Sequence, residues 1–280
     1  MMSDKIIGLA MVSYVVALVL YLVVSTGERS RSGKGMGYCA TGVLWLGFII
    51  HSLGFIVRWI ESYKLGYGRI PLTNMYESMV FFSWSIIVLY IFIEIRYGHR
   101  FMGIIATLLA SLTLALTSVL DLPTAIEPLI PALQSNWLTV HVITCFLGYG
   151  AFTIAFGVSL LYLLNRVLER FVKPLRFIPS FNVLDELNHK AIAIGFPMLT
   201  LGIFTGAVWA EYAWGTYWSW DPKETWSLIT WFVYALFLHL RMKHGWKGTR
   251  SAILSIIGFI VVIFTYWGVN YLISGLHSYA

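Results

Sequence analysis

Trp214-Gly215-Thr216-Tyr217-Trp218-Ser219-Trp220-Asp221-Pro222-Lys223-Glu224-Thr225-Trp226 is the stretch from which the rest of the chain can be read. Asp221 as an N-cap, Pro222 at the first helical position and Glu224 at the third form a capping-box pattern, so a helix begins at Pro222. The two carboxylates satisfy orphan backbone donors there, which accounts for them without a catalytic role. Four tryptophans fall in these thirteen residues, and long apolar runs lie on either side. Connecting segments usually carry function, and rigid flat indoles within one suggest a surface for a planar, apolar group.

Working outward, the flanking runs belong to a repeated pattern. The chain of 280 residues is 59% hydrophobic and 11% charged, and its apolar runs repeatedly reach about twenty residues, enough to cross a bilayer. The expectation is an all-α, polytopic membrane protein forming a single integral-membrane domain over 1–280. Eight spans can be drawn, at about 6 to 25, 37 to 60, 78 to 97, 101 to 120, 137 to 165, 191 to 210, 224 to 243 and 251 to 274. The first lacks a small-residue cleavage pattern and reads as a retained helix. The Trp-rich loop, taken as 209–226, joins spans six and seven.

Lys and Arg orient the spans. The connections at 26–36, 96–100, 166–190 and 241–250 hold fourteen of the nineteen basic residues, against Lys5, Arg58, Lys64, Arg69 and Lys223 on the other side. The positive-inside rule makes the first set cytoplasmic, so both termini and the Trp-rich loop lie outside. The net charge of +6 is therefore a topology signal, and no basic groove argues for nucleic acid. Among the connections, 121–136 carries three prolines and reads as broken turns on the membrane. The segment 166–190 reads either as an interfacial amphipathic helix or as a solvated connector. Cys39 and Cys145 lie inside separate apolar runs and form neither a CxxC nor a CxxCH motif, so both read as packing residues.

The seven histidines separate by depth. His141 lies one turn inside the outer end of span five, and His277 just past the outer end of span eight, on the same side as the Trp-rich loop. Two imidazoles from separate helices beside an indole-rich surface suit a porphyrin, whose iron takes axial groups along the ring normal. Lys223, Arg58 and Arg69 are basic groups on that side able to pair with propionates. His239 lies roughly 25 Å along its helix from Pro222, at 1.5 Å per residue, near the inner boundary. A titratable group at that depth is a functional candidate by default, with snorkelling beside Arg241 and Lys243 as the alternative. His51 sits about 21 Å above the inner start of span two by the same rise, which argues against its pairing with His239. A partner for His239 would then come from another chain.

These residues carry a resemblance. The Trp214 to Trp226 stretch resembles the "WWD" signature of haem-handling membrane proteins of cytochrome c biogenesis, and its WDPKETW form resembles the CcsA (ResC) family of the system II pathway. The segments from Arg69 to Ser78, from His141 to Tyr149 and from Gly275 to Tyr279 also look like family motifs. The resemblance implies haem export and covalent haem attachment to apocytochrome c bearing CxxCH, as a cytochrome c synthase subunit working with a CcsB (ResB) partner. The cofactor would be haem b, held without covalent bonds and in transit. His141 and His277 match the family's external axial ligands, and His239 a histidine of its intramembrane haem site. The candidate cofactor-binding set is completed by Trp214, Trp218, Trp220, Asp221, Arg58 and Arg69. The location implied is a bacterial inner or plasma membrane, or a thylakoid, with the active loop outside. Two other readings remain: a b-type haem electron-transfer subunit, which also uses helical histidines, and a small-molecule permease, for which midplane charges and inverted repeats would be needed.

Overall fold

The computed structural model describes residues 1–26, 31–169, 171, 178–273 and 275. The described residues are helical and connecting segments, with no strand among them. The long helices are α1 (Met2–Thr26), α2 (Arg31–Lys64), α3 (Met75–Tyr97), α4 (Met102–Val119), α5 (Asn136–Leu168), α6 (Phe181–Trp214), α7 (Pro222–His244) and α8 (Thr249–Ile263). A π-helical turn, Phe264–Gly268, continues α8 into a last helical turn, α9 (Val269–Leu272). Among the described residues, seven stretches are long and apolar enough to cross a membrane: α1 to α6, and α8 run together with α9. The chain is an all-helical, polytopic membrane protein. The expected seventh span coincides with α7, whose 23 residues reach about 35 Å at helical rise, but Lys223, Glu224, Arg241 and Lys243 make it more polar than the others.

The helices form two compact units, Met1–Ile130 and Pro131–Ala280. In the first, α1 packs on α2 and α4, and α3 on α4 and α2. Ala10, Tyr14, Ala17 and Tyr21 line one face of α1 at helical spacing and are buried, whereas Leu9, Val12, Val16 and Val19 are exposed. In a bilayer an exposed apolar face is the lipid face, so the usual inside–outside contrast is carried by small and polar residues. The connection after α4 has no regular secondary structure from 122 to 130, followed by a single 3₁₀ turn at Pro131–Leu133.

Charge inside the first unit is gathered at Glu77, in the first turn of α3, whose helix is capped by Asn74 accepting from the Glu77 N–H at 2.8 Å. Arg58 Nε donates to Glu77 Oε1 at 3.0 Å, and an Arg69 terminal nitrogen donates to Oε2 at 2.7 Å. Arg58 also reaches Asp4 and the Thr124 carbonyl, and Arg69 Nε the Glu127 carbonyl. Two arginines and two carboxylates thus tie α1, α2, α3 and the connection after α4 together. His51 is fully buried in the same unit, with Nδ1 3.1 Å from the Tyr14 hydroxyl.

In the second unit α5 packs extensively on α6, α8 packs on α5 and α7, and α6 also meets α7. The α5–α6 contact is close because α6 presents glycines to α5: a Cβ on Gly195 would stand 2.7 Å from the Phe152 ring, and one on Gly202 2.5 Å from Cys145 Sγ. The segment expected to be an interfacial helix or a connector divides differently. Residues 181–190 form the first turns of α6, continuous with its apolar part; Arg170 and residues 172–177 lie outside the described residues. Of its acidic residues, Asp185 turns inward, accepting from Arg241 at 2.5 Å and from the Gly248 N–H at 2.6 Å. Asn188 accepts from Ser255 at 2.9 Å. Asp185 and Asn188 are thus ties between helices, whereas Glu186 stays exposed and pairs with Lys190 one turn on.

Candidate functional site

The site is built at the end of the second unit where α6 gives way to α7. α6 stops at Trp214 because Gly215 adopts the left-handed conformation, φ 77°, and caps back to the Glu211 carbonyl. α7 restarts at Pro222 with the capping box expected from the sequence: Asp221 Oδ1 accepts from the Lys223 N–H at 2.9 Å, and Glu224 Oε2 from the Asp221 N–H at 3.2 Å. Glu224 also holds the Ser219 N–H at 2.8 Å, so one carboxylate fixes both the helix start and the loop before it.

That grip presents the indoles. Trp220 has φ 60°, a left-handed conformation costing a side-chain-bearing residue about 1–2 kcal/mol. Trp220 is nonetheless 68% exposed. A strained backbone that displays a large apolar ring to the surroundings is a pattern of functional loops. Trp218 meets Trp220 edge to face at 5.7 Å, and Trp214 meets Trp209 in the same manner at 4.9 Å. Tyr217 is exposed as well.

His141, on α5, is joined to this surface through Trp209, whose ring stacks on the imidazole at 6.0 Å and 19°. Trp209 is itself buried, and its indole N–H donates to the Ala132 carbonyl at 2.9 Å. The imidazole Nδ1 lies 2.7 Å from the Gly202 carbonyl. A carbonyl only accepts, so Nδ1 carries the proton and Nε2 keeps its lone pair. Metal-bound histidines are characteristically held in this way, with the tautomer and ring plane set by a backbone acceptor. The ring fits because Gly206 has no side chain: a Cβ there would stand 2.6 Å from Nδ1. Cys145, one turn further along α5, lies 3.7 Å from the same nitrogen and is buried as a packing residue. The donor chemistry thus fits an axial haem ligand.

His239 is exposed on the side of α7, its ring 5.6 Å from that of His244. His277 lies outside the described residues. Asp221 is buried as the α7 cap. Arg58 and Arg69 are in the first unit, buried and committed to Glu77. Sequence reasoning missed Trp209, Gly202 and Gly206. Their one local signal is the run Gly195, Gly202, Gly206 along α6, a small-residue face of the kind that lets membrane helices approach closely.

Comparison with known proteins bears on this geometry. The sequence model for "Cytochrome C assembly protein" matches residues 72–277, which include every element of the site. Curated relatives bear the name "Cytochrome c biogenesis protein CcsA". That of Guillardia theta is 38% identical over 289 residues, covering 96% of this chain and 94% of the relative. The chain belongs to the CcsA family. The CcsA protein of Porphyra purpurea is 35% identical, with 100% of this chain and 98% of that one covered. The protein from Chlamydomonas reinhardtii is 42% identical over 80% of this chain, which spans 63% of that longer protein. Among solved structures, "Cytochrome c Heme Lyase CcmF" superposes with a TM-score of 0.63 at 15% identity, covering 94% of this chain and 46% of that one. This likeness is one of fold, and this chain spans about half the lyase's length. As a CcsA-family member, the chain works in cytochrome c maturation.

Proposed function

We propose that this CcsA-family chain holds haem b at the loop end of its second unit, on the outer side of the membrane, and presents it for covalent attachment to the CxxCH motif of apocytochrome c. The observation that carries this reading is the Nδ1–H of His141 donating to the Gly202 carbonyl at 2.7 Å, which leaves Nε2 as an iron ligand. His277 is the second axial ligand in this reading. Haem, when bound, supplies the vinyl carbons to which the substrate's cysteine thiols add.

The chain's own residues hold and orient. His141 fixes one face of the ring through a nitrogen that cannot swing, because Gly202 and the Trp209 stack define its plane. Trp214, Trp218 and Trp220 give an apolar, aromatic wall that a porphyrin face can cover. Asp221 acts through the cap, setting where α7 begins. Arg58 and Arg69 are left out of the haem set, since an anion that took their N–H groups would leave Glu77 buried and unpaired. No nucleophile is required of this chain, as both thiols belong to the substrate. His239, exposed on α7, contributes one ligand to an inner haem site completed by a CcsB/ResB-like membrane partner, through which haem is exported. The outer side is the periplasm of a bacterium or the lumen of a thylakoid.

The test is to co-express the chain with its partner and an apocytochrome, and to follow holocytochrome yield and haem spectra. His141→Ala, His277→Ala and His239→Ala are each expected to lower maturation. Undiminished yield and unchanged haem content in all three variants contradict the reading. Haem retained with electron transfer but no maturation in the unaltered chain would instead mark a b-type cytochrome.

A further inference from the structure

The π-helical turn Phe264–Gly268 lies between α8 and the end of the chain. Such a turn takes one residue more than an α-turn, so the helix beyond it is rotated by about 100° from where a continued α-helix would point. α7 grips this turn and its continuation at several levels. The Thr230 and Thr265 hydroxyls face each other at 2.9 Å, and Thr265 Oγ1 is also 3.2 Å from the Trp226 carbonyl. The Trp226 and Phe264 rings meet at 4.3 Å. Lys223 Nζ donates to Asn270 Oδ1 at 2.7 Å. Gly275 passes so near the α7 cap that a Cβ on it would stand 2.5 Å from Asp221 Oδ2.

Lys223 is the informative member. A cation in the first turn of a helix stands at the wrong end of the helix dipole. Partial burial adds to the cost of this charge, which Asp221 beside it offsets in part. The bond to Asn270 is what Lys223 gains in return, and Lys223, Trp226 and Thr230, at i, i+3 and i+7, put the whole grip on one face of α7.

We propose that the Lys223–Asn270 bond, with Thr230–Thr265 beneath it, is a positioning lock that fixes the π turn, α9 and Gly275 against α7. Lys223 and Asn270 are thereby positioning residues for the chain as it leaves α9 beside the α7 cap, and the sequence WDPK acts through that chain as well as through its own loop. The significance for maturation rests on the reading of His277 as an iron ligand; the lock itself is measurable without haem.

The test uses the full chain in detergent or nanodiscs. Amide hydrogen exchange of the peptides spanning 269–275 is compared for the unaltered protein, Lys223→Met, Asn270→Leu, Thr265→Val and Lys223→Arg. The lock predicts exchange faster by about tenfold in the first two variants, the size expected when a local opening becomes 1.4 kcal/mol easier. It predicts a smaller rise in Thr265→Val and near-normal exchange in Lys223→Arg, which keeps a cationic donor. Unchanged exchange in both Lys223→Met and Asn270→Leu overturns it. With haem added, low-spin signal falls in Lys223→Met and returns in Lys223→Arg; loosened exchange with an unaltered low-spin spectrum overturns the positioning role. An unaltered chain that shows no bis-histidine signal sinks the haem reading instead, and the exchange result still decides the lock.

Discussion

The Glu77 cluster of the first unit and the His141 site of the second both place polar side chains at the end of a helical bundle, yet they commit those groups in opposite ways. At Glu77 the pairing closes locally. Both carboxylate oxygens are taken by arginines, the guanidiniums also hold Asp4 and two backbone carbonyls, and the carboxylate is shut away from the surroundings. At His141 it stays half open: one ring nitrogen is spent on Gly202, the other keeps its lone pair, and the loop that follows α6 carries Trp220, strained and exposed. Complete satisfaction marks a structural tie, whereas a group held rigidly by one end and left reactive at the other marks a site.

The contrast can be broken most severely at Glu77. Glu77→Leu leaves two buried guanidiniums without their shared carboxylate, and losing one partner of a buried pair costs about 3–5 kcal/mol. Thermal unfolding of the purified chain should show a large loss of stability, or no folded protein at all. If Glu77→Leu unfolds like the unaltered chain, the cluster is not the tie described.

A smaller effect, and of a different kind, is expected at Gly206. Gly206→Val puts side-chain atoms where the His141 ring lies and displaces the ligand without touching it chemically. Disturbing the support of a metal ligand typically costs about 10–100-fold in affinity, so haem titration should weaken by that much while the protein still purifies as a folded species. Equal haem affinity in Gly206→Val would show that the Gly202 bond does not govern the ring.

The smallest effect has opposite signs in its two readouts. Trp220→Gly relieves a left-handed conformation and should raise stability by about 1 kcal/mol, while removing an exposed indole should lower holocytochrome yield. A variant that loses stability and keeps full yield would mean that Trp220 is a packing residue.

The sequence made some of this legible for local reasons. Asp221, Pro222 and Glu224 lie within four positions, so the capping box can be read without knowing the fold, and it is present as expected. The long apolar runs likewise locate the helices, because a bilayer demands length and hydrophobicity from each span separately. Arg58 and Glu77 show the limit. They are nineteen positions apart, in different helices, and no periodicity links them. The pairing of His141 with Gly202 is more distant still, at sixty-one positions, and a backbone carbonyl leaves no side-chain signature. Asp185 misled for the same reason, since a charge near a helix end reads as solvated until Arg241 is seen beside it.

The central claim is that His141 Nε2 binds haem iron, and the most direct measurement is the absorption and magnetic-resonance spectrum of haem bound to the purified full chain, unaltered and as His141→Ala. A six-coordinate, low-spin signal in the unaltered chain that is lost in His141→Ala, with the protein still folded, is the result predicted. Haem bound to His141→Ala in the same amount and with the same low-spin signal would contradict it.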